Sequence, residues 1–297
     1  MDDAAFSWRP VEPPVFFPTE AALHWTLLGG QCFRWTETAQ GHYFGQWLAN
    51  RVIVRRGDDG RLWFAAQEAA SDASELCRAV ADYFAANVDF AAVDHALPWR
   101  SDAALAEARR IGLGLRILHQ PVGETLLNYL CSSTKRIAQI RELSSALARE
   151  LGPGKGQLPD WKALASVPES QLRSLGLGYR ARYVAEAAAA LAREPADWET
   201  HLGNLGYEKA REWLIRLPGV GPKIADCVCL FGAGYLEAFP VDTWILQTVA
   251  RYYGLSDWPP EKVAHFARVH FGAGAGLAQQ YLFEAVRTGY ALTTVAE

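Results

Sequence analysis

The chain has 297 residues, half of them apolar and 21% charged, with a formal net charge of −4. This composition predicts a packed globular protein of one large or two smaller domains, and no apolar run approaches the roughly 20 residues that a membrane-spanning helix needs. The stretch MDDAAFSWRP resembles neither a secretory signal nor a transit peptide. We therefore expect a cytoplasmic, nucleoid-associated protein in a bacterium, or a nuclear protein in a eukaryote.

The five cysteines are odd in number and scattered, which indicates a reducing compartment and no disulfide framework. None lies in a CxxC pair or in the clustered spacing of a zinc or iron–sulfur site, so we expect no structural metal. They are Cys32, Cys77, Cys131, Cys227 and Cys229.

Charge is distributed unevenly along the chain. Residues 1–100 carry a balance of −5 and residues 186–297 a balance of −4, whereas residues 101–185 hold 12 basic and 7 acidic side chains, a balance of +5. The middle third is therefore predicted to present a positive surface suited to a polyanion. Ordinary solvated helix faces would give the same count, and the charge alone does not decide between the two.

Strand patterns occupy residues 42–66, where HYFGQWLA, RVIVRR and RLWFAA are rich in aromatic and β-branched residues and GDDG predicts a hairpin turn. Helical patterns flank them at TEAALHWTLL and SDASELCRAVADYFAA, each opening with an N-terminal capping signal, Thr-Glu or Ser-Asp. The first 100 residues are thus predicted to form a small α+β domain with an antiparallel sheet.

After residue 100 the strand signals end and successive amphipathic segments follow, with glycine or proline between them. The fold class is α+β: an N-terminal domain over residues 1–100 and a mostly helical body over residues 101–297. The predicted helical segments are DAALAEARRIG, VGETLLNYLCSS, TKRIAQIRELSSALARELG, DWKALAS, ESQLRSLG, YRARYVAEAAAALARE, YEKAREWLIRL, GPKIADCVCLFGAG, DTWILQTVARYYG and a last one near AQQYLFEAVRTG.

The segment YEKAREWLIRLPGVGPKIADCVCLF, within residues 207–235, predicts a helix, a tight turn and a second helix. Gly219 and Gly221 allow backbone conformations with positive φ, and Pro222 fits the first turn of the second helix, where its missing N–H costs nothing. Free amides at a helix start can hold a phosphate group. A plain interhelical connector is the alternative.

Lys223 and Asp242 are the candidate reactive groups. Lys223 falls in the first turn of a helix, where partial positive charge disfavours the ammonium form and favours an amine that could form Schiff bases. A surface lysine touching phosphate is the alternative. Asp242 directly precedes an amphipathic helix and is predicted to cap it. A capping carboxylate is held in place, so it could also serve in acid–base or electrostatic catalysis beside the lysine.

Four motifs together resemble the helix-hairpin-helix DNA glycosylases whose hairpin is followed by a Gly-Pro-Asp element, and within them the glycosylases of 8-oxoguanine. The motifs are GGQCFRW, LGLGYRARYV, LPGVGPKIADC and FPVD, in that order, and the resemblance runs from about residue 15 to 290. It implies a bifunctional DNA glycosylase and AP lyase that flips a damaged base out of duplex DNA.

By this resemblance Lys223 is the nucleophile that attacks C1′, and Asp242 stabilises the oxocarbenium-like state and assists proton transfer. The Schiff base that follows allows β-elimination 3′ to the lesion. Gly30 lies where a backbone carbonyl accepts the N7–H that distinguishes 8-oxoguanine from guanine, a difference of roughly 1–3 kcal/mol.

The other base-pocket residues carry over in the same way. Phe283 and Cys227 match residues that sandwich the flipped base, and Gln279 matches the residue that reads its Watson–Crick edge. Each would equally suit the core of its helix. DNA contacts are implied for Tyr179 and Arg180, which would wedge into the duplex and address the orphaned base, and for the hairpin residues Gly219, Val220 and Gly221.

The chain departs from the eukaryotic pattern after CSS, where Thr134, Lys135 and Arg136 replace an asparagine run that contacts DNA. Gln139 stands where the family often has a second arginine that reads the opposite cytosine. Arg180 alone would then read that base, and since a bidentate contact is worth roughly 1–3 kcal/mol of discrimination, a relaxed opposite-base preference is predicted.

Trp244 replaces a histidine that contacts phosphate in eukaryotic members, and these departures together resemble bacterial members. The alternatives are a related glycosylase for other alkylated or oxidised bases, or a non-catalytic helix-hairpin-helix DNA-binding protein. We expect a monomer that acts on double-stranded DNA, no membrane association, no required cofactor, no iron–sulfur cluster, and at most a monovalent cation at the hairpin.

Overall fold

The computed structural model describes residues 6–67 and 73–292. Its N-terminal part holds one five-stranded antiparallel sheet with the strand order β1-β5-β4-β3-β2. The strands are β1 (Arg9–Pro10), β2 (Trp35–Glu37), β3 (Tyr43–Trp47), β4 (Asn50–Arg56) and β5 (Leu62–Ala66). The three longest match the predicted strand patterns, and the short edge strands β1 and β2 were missed.

The sheet in the described part of the chain has three hairpins, and the one between β4 and β5 was predicted from the GDDG turn. β3 and β4 pair in a register that places Tyr43 opposite Val54, and β4 pairs β5 with Val54 opposite Phe64. The predicted GDDG turn closes with hydrogen bonds from the Gly57 amide to the Arg61 carbonyl and from the Gly60 amide to the Gly57 carbonyl. Burial along these strands does not alternate, since Val52, Ile53 and Val54 of β4 are all buried.

Helices α1 (Glu20–Leu28), α2 (Ala73–Tyr83) and α3 (Phe90–Ala96) complete the N-terminal part. Thr19 caps α1 as predicted, because its hydroxyl accepts the Ala22 amide at 3.1 Å. The Ser-Asp signal predicted for α2 lies outside the described residues. α3 was not predicted.

The rest of the described chain is helical, as the sequence indicates. Its helices are α4 (Ala103–Gly112), α5 (Val122–Leu130), α6 (Ile137–Leu151), α7 (Trp161–Ala165), α8 (Glu169–Leu172), a π-helical turn (Arg173–Leu177), α9 (Arg180–Leu191), α10 (Trp198–Asn204), α11 (Tyr207–Ile215), α12 (Pro222–Phe231), α13 (Thr243–Tyr253), α14 (Pro260–Phe271), a 3₁₀ turn (Gly272–Gly274) and α15 (Ala275–Arg287). Helices α10 and α14 were not predicted.

Two hydrophobic cores organise the molecule, and α1 contributes to both. Leu23 and Leu27 pack into the core beneath the sheet, whereas Trp25 belongs to the core of the helical body. This shared helix fixes the segment that follows it, Gly29 and Gly30, against the helical body. The predicted domain boundary at residue 100 stays a prediction. No helix in the described part of the chain is both long and apolar enough to span a bilayer.

Candidate active site

The predicted hairpin is formed by α11, a short turn and α12. The turn closes with a hydrogen bond of 3.1 Å from the Val220 amide to the Leu217 carbonyl. Gly219 has φ +79°, and a Cβ there would lie 2.5 Å from Cβ of Tyr183, so both backbone conformation and space require glycine. The hairpin is thereby packed against α9.

Gly221 does not use the positive φ that glycine allows. Its φ is −91° and its ψ 178°, an extended conformation. The physical reason is that Gly221 is the N-cap of α12, a position that takes β-region dihedrals. Pro222 occupies the first turn as predicted. Gly221 is exposed, so the amides at this helix start face outward.

Lys223 is partly buried in the first turn of α12 and faces the aromatic ring of Tyr129 on α5. Its Nζ lies 4.9 Å from the centroid of that ring, a cation–π distance. One helical turn further, the buried thiol of Cys227 has its pKa raised to about 12 by burial, an effect that the Lys223 ammonium opposes. The amine therefore projects inward, over an aromatic and a sulfur surface.

Asp242 caps α13, as predicted. Its Oδ1 accepts the Ile245 amide at 2.9 Å, which fixes the carboxylate at the helix start. Burial raises the pKa of the Asp242 carboxyl above its ordinary value, while the Ile245 amide and the charge of Lys223 oppose that rise. The carboxylate and the amine are thus electrostatically coupled across the site.

Both groups line a cavity of about 1030 Å³, which we call the lesion cavity. It brings together Lys223, Asp242, Gly30 and Phe283, which come from separate parts of the sequence. Its remaining lining residues are Phe33, Tyr129, Ser132, Ser133, Thr134, Lys135, Arg136, Ile137, Ala138, Gln139, Ile140, Thr243, Trp244 and Arg287. An amine and a carboxylate at one end of a cavity of this size can serve covalent chemistry on a bound nucleoside.

The Gly30 carbonyl is held in place by its neighbours. Gln31 is fully buried, with its Nε2 donating to the Arg116 carbonyl and its Oε1 accepting the Leu118 amide, both at 2.8 Å. The Gly30 carbonyl accepts the Tyr129 hydroxyl at 3.1 Å. With one of its two lone pairs in use, this carbonyl retains capacity for one more donor.

Gly30 also needs to be glycine. Its φ is +99°, and a Cβ there would lie 2.9 Å from Cδ1 of Ile137 and 3.6 Å from Cε1 of Phe283. The backbone therefore comes close to the cavity wall in a way that a side chain would block.

Cys227 and Gln279 lie behind the cavity wall. Cys227 is 2% exposed, and Gln279 is 4% exposed with its Nε2 3.3 Å from the Pro240 carbonyl and its Oε1 accepting from Gln280. Contact with a flipped base would require these side chains to shift. Their predicted roles in base binding stay predictions.

Tyr129, Phe33 and Arg287 were missed by the sequence analysis, although all three line the lesion cavity. Tyr129 stacks edge-on against Phe33 with the ring centroids 5.4 Å apart. An aromatic residue within an apolar helix pattern is typical of core, so nothing in the local sequence separated Tyr129 from its buried neighbours.

Comparison with known proteins decides which family has this arrangement. The family model of the 8-oxoguanine DNA glycosylase N-terminal domain matches residues 15–126, and that of HhH-GPD superfamily base excision DNA repair proteins matches residues 127–270. The N-glycosylase/DNA lyase OGG1 of Arabidopsis thaliana is 33% identical over 91% of this chain and 80% of its own length. The chain belongs to the 8-oxoguanine DNA glycosylase family.

Solved structures agree with that membership. The structure of MBOgg1 with a low affinity DNA ligand has a TM-score of 0.81 and 30% identity, covering 93% of both chains. The 8-oxoguanine glycosylase/lyase of Clostridium acetobutylicum, solved with duplex DNA containing cytosine opposite 8-oxoG, has a TM-score of 0.79 and 27% identity, covering 89% of this chain and 91% of that one. This family member is therefore a DNA-binding enzyme with N-glycosylase and AP lyase activity.

In this glycosylase the two residues predicted to address the orphaned base differ in exposure. Tyr179 is 49% exposed, whereas Arg180 is 5% exposed and lies 4.4 Å above the Tyr179 ring. Arg180 donates to the Ser133 carbonyl and, at 2.7 Å, to the Thr134 hydroxyl. Arg182 on the same helix is exposed and pairs with Glu186 at 2.7 Å. Arg180 must leave its partners before it can reach a base.

The loop before α6 presents the other predicted DNA contacts of the glycosylase. Thr134 is exposed and has φ +56°, and Arg136 is exposed at the N-terminus of α6. Gln139 accepts the Arg136 amide through its Oε1 at 3.0 Å, so it caps its own helix. Trp244 is 42% exposed on the wall of the lesion cavity. This loop and the hairpin face the same cavity from two sides.

Proposed function

We propose that this family member excises 8-oxoguanine from duplex DNA through a Schiff base on Lys223. The observation that best supports this function is that one cavity of about 1030 Å³ is lined by Lys223, Asp242, Gly30 and Phe283. An amine, a carboxylate, a backbone acceptor and an aromatic ring are the groups that base excision by an amine needs. The Clostridium relative's complex with 8-oxoG in duplex DNA supports the choice of lesion.

In the proposed reaction the Lys223 ammonium first gives up a proton to solvent. The lone pair of the resulting amine attacks C1′ while the bond from C1′ to the base breaks and the base leaves with its electron pair. A proton passes from the amine to the Asp242 carboxylate or the leaving base. The sugar ring then opens as its ring oxygen departs, which leaves a Schiff base between Nζ and C1′. Loss of a C2′ proton expels the 3′ phosphate and nicks the strand.

Asp242 has the environment that this reaction requires. The Ile245 amide fixes one of its oxygens, and in the proposed reaction the carboxylate stands beside the sugar centre where cationic character develops. The charge of Lys223 favours the ionised carboxylate against the effect of burial. A negative charge held beside C1′ would stabilise the oxocarbenium-like state more than the neutral ground state.

Selection of 8-oxoguanine is assigned to the Gly30 carbonyl. Tyr129 already donates to this carbonyl at 3.1 Å, which orients it and leaves one lone pair for the N7–H of the oxidised base. Guanine offers a lone pair at N7 instead, so two acceptors would meet. An unpaired buried acceptor costs roughly 1–3 kcal/mol, about a 5- to 150-fold preference.

The proposed function also specifies a substrate, an oligomeric state and a cofactor requirement. We propose double-stranded DNA with an oxidised purine as the substrate, and a monomer as the active species. An amine nucleophile and a carboxylate together supply the chemistry, so no cofactor enters any step. Light scattering of the protein with and without duplex DNA measures the oligomeric state.

Borohydride trapping on a duplex with 8-oxoguanine tests the covalent step. The wild type should form a protein–DNA adduct of one to one stoichiometry, and Lys223→Gln should form none. Lys209→Gln is the matched control, because Lys209 is an exposed lysine on the first helix of the same hairpin. An adduct that persists in Lys223→Gln, or a wild type that releases no base, would refute the proposal.

The same trapping assay distinguishes a glycosylase for 8-oxoguanine from related glycosylases that act on other damaged bases. Duplexes that carry an alkylated purine in place of 8-oxoguanine should be neither trapped nor cleaved. If they are processed faster than 8-oxoguanine, the assignment of the lesion is wrong while the Schiff-base chemistry stands.

A further inference from the structure

A second cavity, of about 420 Å³, lies beside the lesion cavity and shares Phe33 with it. We call it the basic cavity. It lies where β2 and β3 of the sheet meet α6 and the glycine-rich loop at 152–156. Its lining residues are Phe33, Arg34, Thr36, Phe44, Gln46, Arg141, Ser145, Ala148, Arg149, Gly154, Lys155 and Gly156.

The charge of this cavity has one sign. Four of its lining residues are basic, and none of the lining residues that the structure describes is acidic. Arg149 pairs with Glu150 at 2.8 Å on the exposed side. The Nε atoms of Arg34 and Arg141 are buried and have no hydrogen-bond partner in the described part of the chain. Among the described residues, Arg34 and Arg141 therefore each keep one buried N–H without a partner beside this cavity, while their terminal nitrogens donate to the Gly156 and Leu28 carbonyls.

The walls of the basic cavity are held together by specific contacts. Arg34 donates to the Gly156 carbonyl, and the Gln46 side chain donates to the Lys155 carbonyl at 2.6 Å. Gly156 has φ +77°, and a Cβ there would lie 2.6 Å from Oε1 of Gln46. The loop is thus seated on the sheet, and its close approach depends on glycine.

Burying a guanidinium group is costly, and an oxyanion at hydrogen-bond distance reduces that cost. Burial lowers the pKa of the Arg34 guanidinium, which the charge of Glu124 opposes. Burial likewise lowers the pKa of Arg141, with Cys32 opposing and Arg287 adding to the effect. Planar guanidinium donors match the geometry of phosphate oxygens.

We propose that the basic cavity is a binding site for a phosphate group, distinct from the lesion cavity and the hairpin. Arg34 and Arg141 supply the donors, Ser145 and Thr36 add hydroxyls, and Arg149 adds charge at the mouth. The phosphate can belong to DNA or to a free anion such as pyrophosphate.

The position on α6 favours a phosphate of DNA. Gln139 lines the lesion cavity and Ser145 lines the basic cavity, six residues further along the same helix. Six residues of α-helix span about 9 Å, and one DNA strand advances about 3.4 Å per nucleotide. A DNA strand that runs along α6 from the lesion cavity would bring a backbone phosphate to the basic cavity some three nucleotides away. Binding of a DNA phosphate at the basic cavity rests on the proposed function, whereas binding of a free anion there does not.

The test places a carboxylate inside the cavity. Ser145 is exposed within α6, so Ser145→Glu should fold normally, since glutamate is a good helix former. Ser145→Gln is the control for size, and Ser170→Glu on α8 is the control for an added charge elsewhere. Each protein is titrated with an undamaged 25-base-pair duplex at several salt concentrations, and separately with pyrophosphate while thermal unfolding is monitored.

If the cavity takes a DNA phosphate, Ser145→Glu should weaken duplex binding several-fold and lower the salt dependence by about one phosphate contact, while both controls match the wild type. If it takes a free anion, Ser145→Glu should abolish the stabilisation by pyrophosphate without changing duplex binding. Either result supports a phosphate site and identifies its source. The proposal is overturned if Ser145→Glu behaves like Ser170→Glu in both titrations, or if Ser145→Gln reproduces the effect.

The duplex carries no lesion, so these titrations do not depend on excision. Failure of the phosphate site would leave borohydride trapping unaffected, and failure of trapping would leave the pyrophosphate titration interpretable. Arg34→Gln serves as a second variant, with an expected loss of the same kind as Ser145→Glu.

Discussion

Arg180 donates a hydrogen bond of 2.7 Å to the Thr134 hydroxyl and is almost fully buried. These are two of the residues expected to contact the DNA around the flipped base, and here they satisfy each other. The free energy needed to release Arg180 from these hydrogen bonds is the same whatever base stands opposite the lesion. If Arg180 then reads the opposite base as predicted, that contact provides the discrimination, and in this chain Gln139 and not a second arginine stands at residue 139.

Replacement of Arg180 should erase the remaining opposite-base preference. In Arg180→Ala we expect excision rates opposite the four bases to converge within about twofold, because a bidentate arginine contact is worth roughly 1–3 kcal/mol of discrimination. The control is Arg182→Ala, since Arg182 is exposed and paired with Glu186. Single-turnover excision from four duplexes measures the effect. A preference that survives in Arg180→Ala would show that another group reads the base.

An arginine at residue 139 should create a stronger preference. Wild-type Gln139 caps α6 through the Arg136 amide, so it is engaged with its own helix. In Gln139→Arg we expect the preference for cytosine to increase about 5- to 100-fold, at a loss of about 1 kcal/mol of stability from the missing cap. Gln139→Ala controls for the cap alone. A wild type already strongly selective for cytosine would contradict the premise.

The sequence predicted the elements with strong local signals. The strands of residues 43–66 are rich in aromatic and β-branched residues, and the caps Thr19 and Asp242 satisfy helix starts, so both are readable without tertiary information. The edge strands β1 and β2 have two and three residues and pair only because β5 and β3 are there. Their existence depends on neighbours far along the chain, which periodicity does not register.

The candidate active site likewise has features that the sequence predicts and features that depend on tertiary packing. The family motifs located Lys223, Asp242 and Gly30, and the structure brings all three to one cavity. The sequence left the conformation of Gly221 open, because a glycine can serve as an N-cap as well as a turn residue. The burial of Arg180 and the role of Tyr129 as a partner of Gly30 depend on packing between helices. No local pattern encodes those contacts.

A methyl group at Gly30 should impair base recognition. Alanine at φ +99° costs about 1–2 kcal/mol, and its Cβ would lie 2.9 Å from Ile137 Cδ1, so the carbonyl must move. We expect excision of 8-oxoguanine to fall at least tenfold, since small misplacements at a reacting site are costly. Gly41→Ala is the control, because Gly41 has φ +75° with nothing within 4 Å.

A second substitution should restore part of the activity that Gly30→Ala loses. Ile137→Val removes the Cδ1 atom that the new Cβ would meet, leaving only contacts of 3.5 Å or more. The double variant should therefore recover part of the lost excision rate. No recovery would indicate that the backbone conformation, and not the collision, causes the defect.

The decrease of the excision rate at low pH, which we call the acid limb, should follow the protonation of Asp242. Burial raises the pKa of this carboxyl above the ordinary value of about 3.9, and the ionised form is the one that assists the reaction. The rate should therefore fall as pH decreases through a midpoint above that value. Asp242→Asn should be slow and lack this limb. Asp160→Asn, which removes another aspartate N-cap, should keep the wild-type profile. A limb that persists in Asp242→Asn would assign it to another group.

Glu284 should make stability depend on pH. Its carboxyl is fully buried beside Arg287, and burial raises its pKa to about 7, against about 4.3 in an unfolded chain. Between these values the folded state binds more protons than the unfolded state, so stability falls as pH rises. The loss from pH 4.5 to 7.5 is on the order of 3 kcal/mol.

Glu284→Gln isolates this contribution, because glutamine cannot titrate. Chemical denaturation at pH 4.5, 6 and 7.5 should show a smaller fall in the free energy of unfolding for Glu284→Gln than for the wild type. Glu142→Gln is the control, since Glu142 is exposed on α6. Parallel curves for the wild type and Glu284→Gln would mean that Arg287 keeps the carboxylate ionised throughout, because the ion pair of 2.6 Å would then outweigh burial.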